Sequence, residues 1–202
     1  MATATLPPPQ VPVRVTQRQR RFSVAEYHKL GELGILTPAD RCELIHGFIV
    51  EKAMVNPPHA TAVRRLRRLL EAIFTETWLV DSQSPITLAD SEPEPDAFVA
   101  RGTSRDFENA HPTPSDLAIV AEVSDSSLED DRTVKLALYA AAKLPQYWIV
   151  NIPERRVEVY TQPRGGRNPT YRTRTDYGTD AAVPVVLAGK TLGTIPVAEL
   201  LP

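Results

Sequence analysis

The chain has 202 residues, a single cysteine and a formal net charge of −2. With 42% apolar and 24% charged residues it has the make-up of one ordinary domain, so neither a second core nor a wholly disordered chain is expected. Cys42 alone excludes an intrachain disulfide, no apolar run nears the roughly 18 residues of a membrane span, and the near-neutral charge excludes a protein that grips nucleic acid over its whole surface.

Residues 1–21 carry Pro7, Pro8, Pro9 and Pro12 together with Arg14, Arg18, Arg20 and Arg21, and no acid. Such a stretch cannot make a helix and has little to bury, so it reads as a flexible Pro/Arg-rich arm, with the folded domain spanning 22–202. It also lacks the continuous apolar segment of a signal peptide, which places the protein in the cytoplasm as an expectation. Two further basic clusters follow: Arg64, Arg65, Arg67 and Arg68, then Arg164, Arg167, Arg172 and Arg174.

Order is expected from Ser23, because Ser23 and Glu26 form a capping box ahead of a short helix that carries Tyr27 and Leu30 and stops near Gly34. Glu43–Val50 reads as a tight hairpin turning at His46-Gly47. After Pro57-Pro58 a helix is expected over 59–77, with Val63, Leu66, Leu70 and Ile73 as its buried stripe and the four arginines off it. Strands are expected at Trp78–Asp81, Ser84–Leu88 and Asp96–Ala100. The apolar run Leu117–Val123 has the character of a central strand covered on both faces. A helix over Asp130–Lys143, a buried strand at Gln146–Val150 and a strand at Val157–Tyr160 complete the core, and short β segments close the chain. Helices and strands in this order make an α/β fold: a mixed sheet with helices on its faces.

Within the run Leu117–Val123 stands Glu122, a charge inside an apolar strand. An unpaired buried carboxylate costs several kcal/mol, so a metal ion or a basic side chain is expected beside it. Asp96 opens a neighbouring strand. Two carboxylates on adjacent strands, with a carbonyl such as that of Val123, would make a hard-oxygen site suited to Mg²⁺. The plain alternative is that these are solvated acids at strand ends.

Taken in order, Glu43-Leu44-Ile45-His46-Gly47, Pro57-Pro58-His59, Glu94-Pro95-Asp96, Glu122-Val123-Ser124, Lys135 with Tyr139, and Tyr147-Trp148-Ile149-Val150 resemble the Uma2 family within the PD-(D/E)XK nuclease superfamily. The resemblance covers roughly 22–160. It implies a restriction-endonuclease-like sheet and a DNA endonuclease that uses Mg²⁺, with Mn²⁺ as a substitute, and it allows a homodimer. It also implies roles: Asp96 and Glu122 as metal ligands with the Val123 carbonyl, Lys135 as the catalytic lysine, and Glu43 as an acid that completes or supports the metal site. The chain departs from the superfamily motif at Ser124, which stands two residues after Glu122 where lysine is usual. It departs again at Lys143, where glycine commonly closes the helix, and at Asn151, where aspartate commonly follows the strand.

The helix period lets Lys135 serve. With Val134, Leu138 and Ala141 as the core stripe, Lys135 lies about 100° round from Val134, and its stem can run along apolar surface. The bland account is an i,i+4 ion pair with Asp131. His59, straight after the two prolines, reads as the start of its helix rather than a ligand. Tyr147 and Trp148 read as core, and Arg64, Arg65, Arg67 and Arg68 as either a phosphate-contacting or a solvated face. Two rivals to the nuclease stand: a catalytically inactive copy of the fold acting as a DNA-binding or structural module, and a glycosidase built on the same pair of acids.

Overall fold

The computed structural model describes residues 19–202. Most of the arm proposed for residues 1–21 therefore lies outside the described residues. At its end Arg20 pairs with Glu26.

Helix α1 (Val24–Glu32) begins with the expected capping box. The hairpin of β1 (Cys42–Ile45) and β2 (Phe48–Glu51) turns at His46 and Gly47, both with positive φ, as a two-residue turn matched to strand twist requires. Helix α2 (Pro57–Glu71) starts two residues earlier than expected. Its prolines occupy the first turn, where a missing N–H is harmless, and the Asn56 side chain accepts from the His59 amide. It also ends six residues before Thr77, because the chain tightens after Leu70 and runs into β-branched residues, which favour helix weakly.

A six-stranded sheet forms the centre, in the order β3 (Trp78–Asp81), β4 (Ala97–Arg101), β5 (Leu117–Ser124), β6 (Gln146–Asn151), β7 (Arg156–Arg164) and β8 (Thr170–Gly178). Only β5 and β6 run parallel; the other neighbours are antiparallel. A parallel pair needs a crossover, supplied by the helical stretch α3 (Leu128–Asp130), a π-helical turn (Asp131–Lys135) and α4 (Leu136–Ala141). Every residue of β5 is buried, as its apolar run predicted. On one face of the sheet α2 packs with α5 (Val197–Leu200) and the hairpin of β9 (Ala182–Leu187) and β10 (Lys190–Pro196). On the other lie α4, Ile45 of β1 and a layer of Tyr139, Tyr147, Tyr160 and Tyr171. Trp148 and Tyr147 are fully buried, on opposite faces.

Two sequence expectations fail. Ser84–Leu88 is not a strand: Pro85 offers no amide, and the amides of Ile86, Thr87 and Leu88 bond to loop carbonyls rather than to a ladder. Its alternation reflects Ile86 and Leu88 facing the core from a loop. The stripe assigned to the crossover helix is also wrong. Val134 is 41% exposed and Ala141 is exposed, while Asp131, Leu138 and Tyr139 are buried. The π turn widens the winding, so Asp131, Lys135 and Tyr139, each four apart, share the inward face. The closing β segments are longer than the sequence implied, with β7 and β8 pairing over nine residues each.

Candidate active site

Pro95 creates the opening in the sheet. The β4–β5 ladder runs from Ala97↔Ala121, which sets Pro95 opposite Val123. Alternation along β5 turns the Ser124 carbonyl toward β6, where it accepts from the Ile152 amide at 3.0 Å, and so turns the amide and carbonyl of Val123 toward β4. Proline has no N–H to offer, so the Val123 carbonyl gains no ladder partner there. The Val123 amide is taken instead by Asp96 Oδ2, at 2.9 Å. The Asp96 amide points back to Glu122 Oε2 at 3.3 Å. Thus the proline-aspartate pair ends the ladder and locks two carboxylates against one another.

Glu122 is 5% exposed and accepts from the Tyr139 hydroxyl at 2.6 Å. Lys135 Nζ donates to Glu43 Oε2 at 2.8 Å and lies 3.5 Å from Glu122 Oε1. Glu43, on β1, also accepts from the Glu94 amide. The predicted group Glu43, Asp96, Glu122, Val123 and Lys135 therefore meets in one place. The ion pair of Lys135 with Asp131 does not form. Asp131 instead accepts from the hydroxyls of Ser124 and Ser127, each at 2.6 Å. Ser124 is fully buried, with its hydroxyl committed to Asp131.

Two carboxylates share one ammonium, and the imbalance shows in their protonation. Burial pushes the Glu122 carboxyl well above the ordinary range, reinforced by Asp96 and opposed by Lys135. Burial works against the Lys135 ammonium too, but Glu122 and Glu43 outweigh it and hold the charge. With Asp96 beside them the cluster carries more negative than positive charge, which a proton on Glu122 or a bound cation can offset. Oxygen donors dominate, and among the described residues the hydrogen bonds to Asp96, which lines the cleft, all fall on Oδ2. A hard divalent cation such as Mg²⁺ fits this donor set.

Sequence reasoning undervalued His59. Its Nε2 lies 3.0 Å from Asp96 Oδ2, and this hydrogen bond raises its pKa against the pull of burial. Its Nδ1 is buried without a partner. The signal was present in the sequence, since Asn56 and the two prolines fix where α2 starts, but which way its first turn faces depends on packing. In the sequence Tyr139 stands in the family motif without a role and Asp131 only as an ion-pair alternative for Lys135; the structure brings both against the cluster. The α2 arginines lie elsewhere and none lines the cleft. Arg65 reaches the Leu201 carbonyl, Arg67 pairs with Glu71 at 2.9 Å, and Arg64 and Arg68 are exposed. The departures at the helix end also find places. Lys143 takes the left-handed conformation (φ 59°) that glycine would adopt freely, and the buried Asn151 bonds to Glu158 and to the Glu154 amide.

The carboxylates and Lys135 open on a cleft of about 640 Å³ whose walls include Arg41, Lys52, Val55 and His59 but no phenylalanine, tyrosine or tryptophan. A glycosidase groove with aromatic platforms is not present there. Among the described residues no helix is long and apolar enough to cross a membrane.

Comparison with known proteins agrees with the fold. The Uma2 family model, described as "Putative restriction endonuclease", matches residues 24–192. A crystal structure of "a putative nuclease belonging to DUF820 from Anabaena variabilis" superposes with a TM-score of 0.66 at 17% identity, covering 89% of this chain and 97% of that one. No curated protein matches.

Proposed function

The chain belongs to the Uma2 family, and from that premise we propose that it is a metal-dependent endonuclease hydrolysing DNA phosphodiesters in the cytoplasm, with Mg²⁺ as the cation and Mn²⁺ as a substitute. The observation that carries this is the convergence of Asp96, Glu122 and the ladder-free Val123 carbonyl with a lysine delivered from the crossover helix. Asp96, Glu122 and the Val123 carbonyl would hold the ion. When bound, it supplies a Lewis acid for the phosphoryl oxygen and an acidified water.

The chain's own residues set the rest. Val123 N–H and His59 fix the Asp96 carboxylate in orientation. The Tyr139 hydroxyl, held protonated by burial and by Glu122, steadies the Glu122 carboxylate from below. Glu43 holds the Lys135 ammonium beside the cleft, where it can hydrogen-bond the attacking water or the charge that develops on the phosphate. Lys135 thus takes the place that Ser124 leaves vacant, and Ser124 instead anchors Asp131 at the start of the π turn that swings Lys135 inward. Arg41 and Lys52, the latter paired with Glu94, line the cleft and would face a polyanion, and a homodimer would place two such clefts on one duplex.

The test is calorimetry with nuclease assays. Mg²⁺ should bind the wild type, and Mg²⁺ binding and plasmid cleavage should both vanish in Asp96→Ala and in Glu122→Ala. Mg²⁺ binding retained in either folded variant overturns the site; Mg²⁺ binding without cleavage favours the inactive module.

A further inference from the structure

Beside α1, three residues remote in sequence meet: His28, Glu92 and His111. One ligand atom of each lies within 4.8 Å of the others. His28 Nε2 stands 2.7 and 2.8 Å from the two oxygens of Glu92, and the His28 and His111 rings meet edge to face at 6.3 Å between centroids. We propose that His28, Glu92 and His111 form a second metal site, selective for a transition ion of the Zn²⁺ class and separate from the carboxylate site.

The donor set sets the class of ion. Two imidazoles and one carboxylate suit Zn²⁺, which takes nitrogen ligands at about 2.0–2.1 Å and commonly keeps its fourth position for water. Such bonds place ligand atoms roughly 3.3 Å apart in a tetrahedron, so the present separations need only small side-chain adjustments. The carboxylate is prepared for the task. Glu92 is 4% exposed, and Thr87 Oγ1 donates to its Oε2 at 2.9 Å, fixing its orientation. The same Thr87 binds the Pro112 carbonyl through its amide at 2.9 Å, and Pro112 is buried, so one residue sets both Glu92 and the backbone that carries His111. His28, Thr87 and His111 line a cavity of about 970 Å³ that can admit water to the ion.

The fold has a use for such an ion. Helix α1 buries none of its residues fully, only half-burying Val24, Tyr27 and Leu30, and its polar ties to the body include the Tyr27 hydroxyl on the Cys42 carbonyl and His28 on Glu92. A helix whose apolar face is only half covered docks weakly, and an ion shared with Glu92 and His111 would staple it to the body.

The experiment uses the full chain stripped of metal, with Zn²⁺ and Mg²⁺ as probes and imidazole NMR as the readout. The chain has four histidines, so each can be followed separately. One equivalent of Zn²⁺ should shift the His28 and His111 ring signals together and leave His46 unmoved, while Mg²⁺ should shift neither His28 nor His111. His111→Ala, an exposed substitution, should keep the metal-free Tm yet lower Zn²⁺ affinity at least tenfold and abolish the Zn²⁺-dependent protection of α1 amides from exchange. Shifts confined to His59, or unchanged Zn²⁺ affinity in His111→Ala, would overturn the proposal and leave His28 and Glu92 as a simple ion pair.

Discussion

Replacing Lys135 by methionine keeps the stem and removes the charge, and it isolates what the ammonium does. At an effective dielectric of about 20, the 2.8 Å contact with Glu43 and the 3.5 Å contact with Glu122 correspond to gross attractions of about 6 and about 5 kcal/mol. Much of that offsets the desolvation of three buried charges. What the variant loses is closer to the roughly 3–5 kcal/mol seen when one partner of a buried pair is removed. The lower end is expected here, because Glu122 already tends to hold a proton and Tyr139 still donates to it. Metal-free Lys135→Met should therefore melt about 6–12 °C below the wild type, using about 2–4 °C per kcal/mol for a chain of this size. Mg²⁺ should recover more of the melting temperature in the variant than in the wild type, since the ion replaces the missing positive charge. Plasmid nicking under saturating Mg²⁺ should fall on the order of 10²–10³-fold if the ammonium meets charge in the transition state. Differential scanning fluorimetry and a nicking time course measure both. Wild-type nicking would remove Lys135 from the chemistry, and an unchanged metal-free melting temperature would refute the charge balance drawn for the cluster.

Three other outcomes follow from the same structure. The folded Glu122 carboxyl titrates above its unfolded value, at about 8 against 4.5, so its contribution is intact below about 4.5 and is lost as pH rises toward 8. Metal-free protein should lose stability progressively across that window in denaturant titrations, and Glu122→Gln or added Mg²⁺ should flatten the profile. Of the α2 arginines, Arg65 and Arg67 are engaged within the protein, so changing Arg64 and Arg68 to alanine should capture the helix's whole share of DNA binding. A drop of up to about 1.8 in the slope of log K against log salt marks two phosphate contacts, and no drop leaves a solvated face. Lys143→Gly should raise stability by about 1 kcal/mol, read as a higher denaturant midpoint at unchanged m-value, because the residue sits in left-handed backbone where a side chain is strained.

Sequence alone carried the parts that depend on near neighbours. The capping box at Ser23, the turn at His46-Gly47, the fully buried β5 and the acid embedded in it are local patterns, and each stands where its chemistry put it. The ordered motifs located Glu43, Asp96, Glu122 and Lys135 because each motif is short and keeps its own spacing. What failed depended on distant contacts or on a break in period. Ser84–Leu88 has the alternation of a strand but no ladder beside it, and only the finished sheet decides which extended segments pair. The π turn shifted the inward face of the crossover helix from Val134 to Asp131, Lys135 and Tyr139, a phase change invisible to a fixed 3.6-residue period. His59 became a partner of Asp96 because α2 packs its first turn over the end of β4, and Lys135 found Glu43 rather than Asp131 across 92 positions of chain. Helix and turn propensities act over a few residues. The partners of a buried charge are chosen by whatever the packed core brings within about 3 Å, and that choice belonged to the tertiary structure alone.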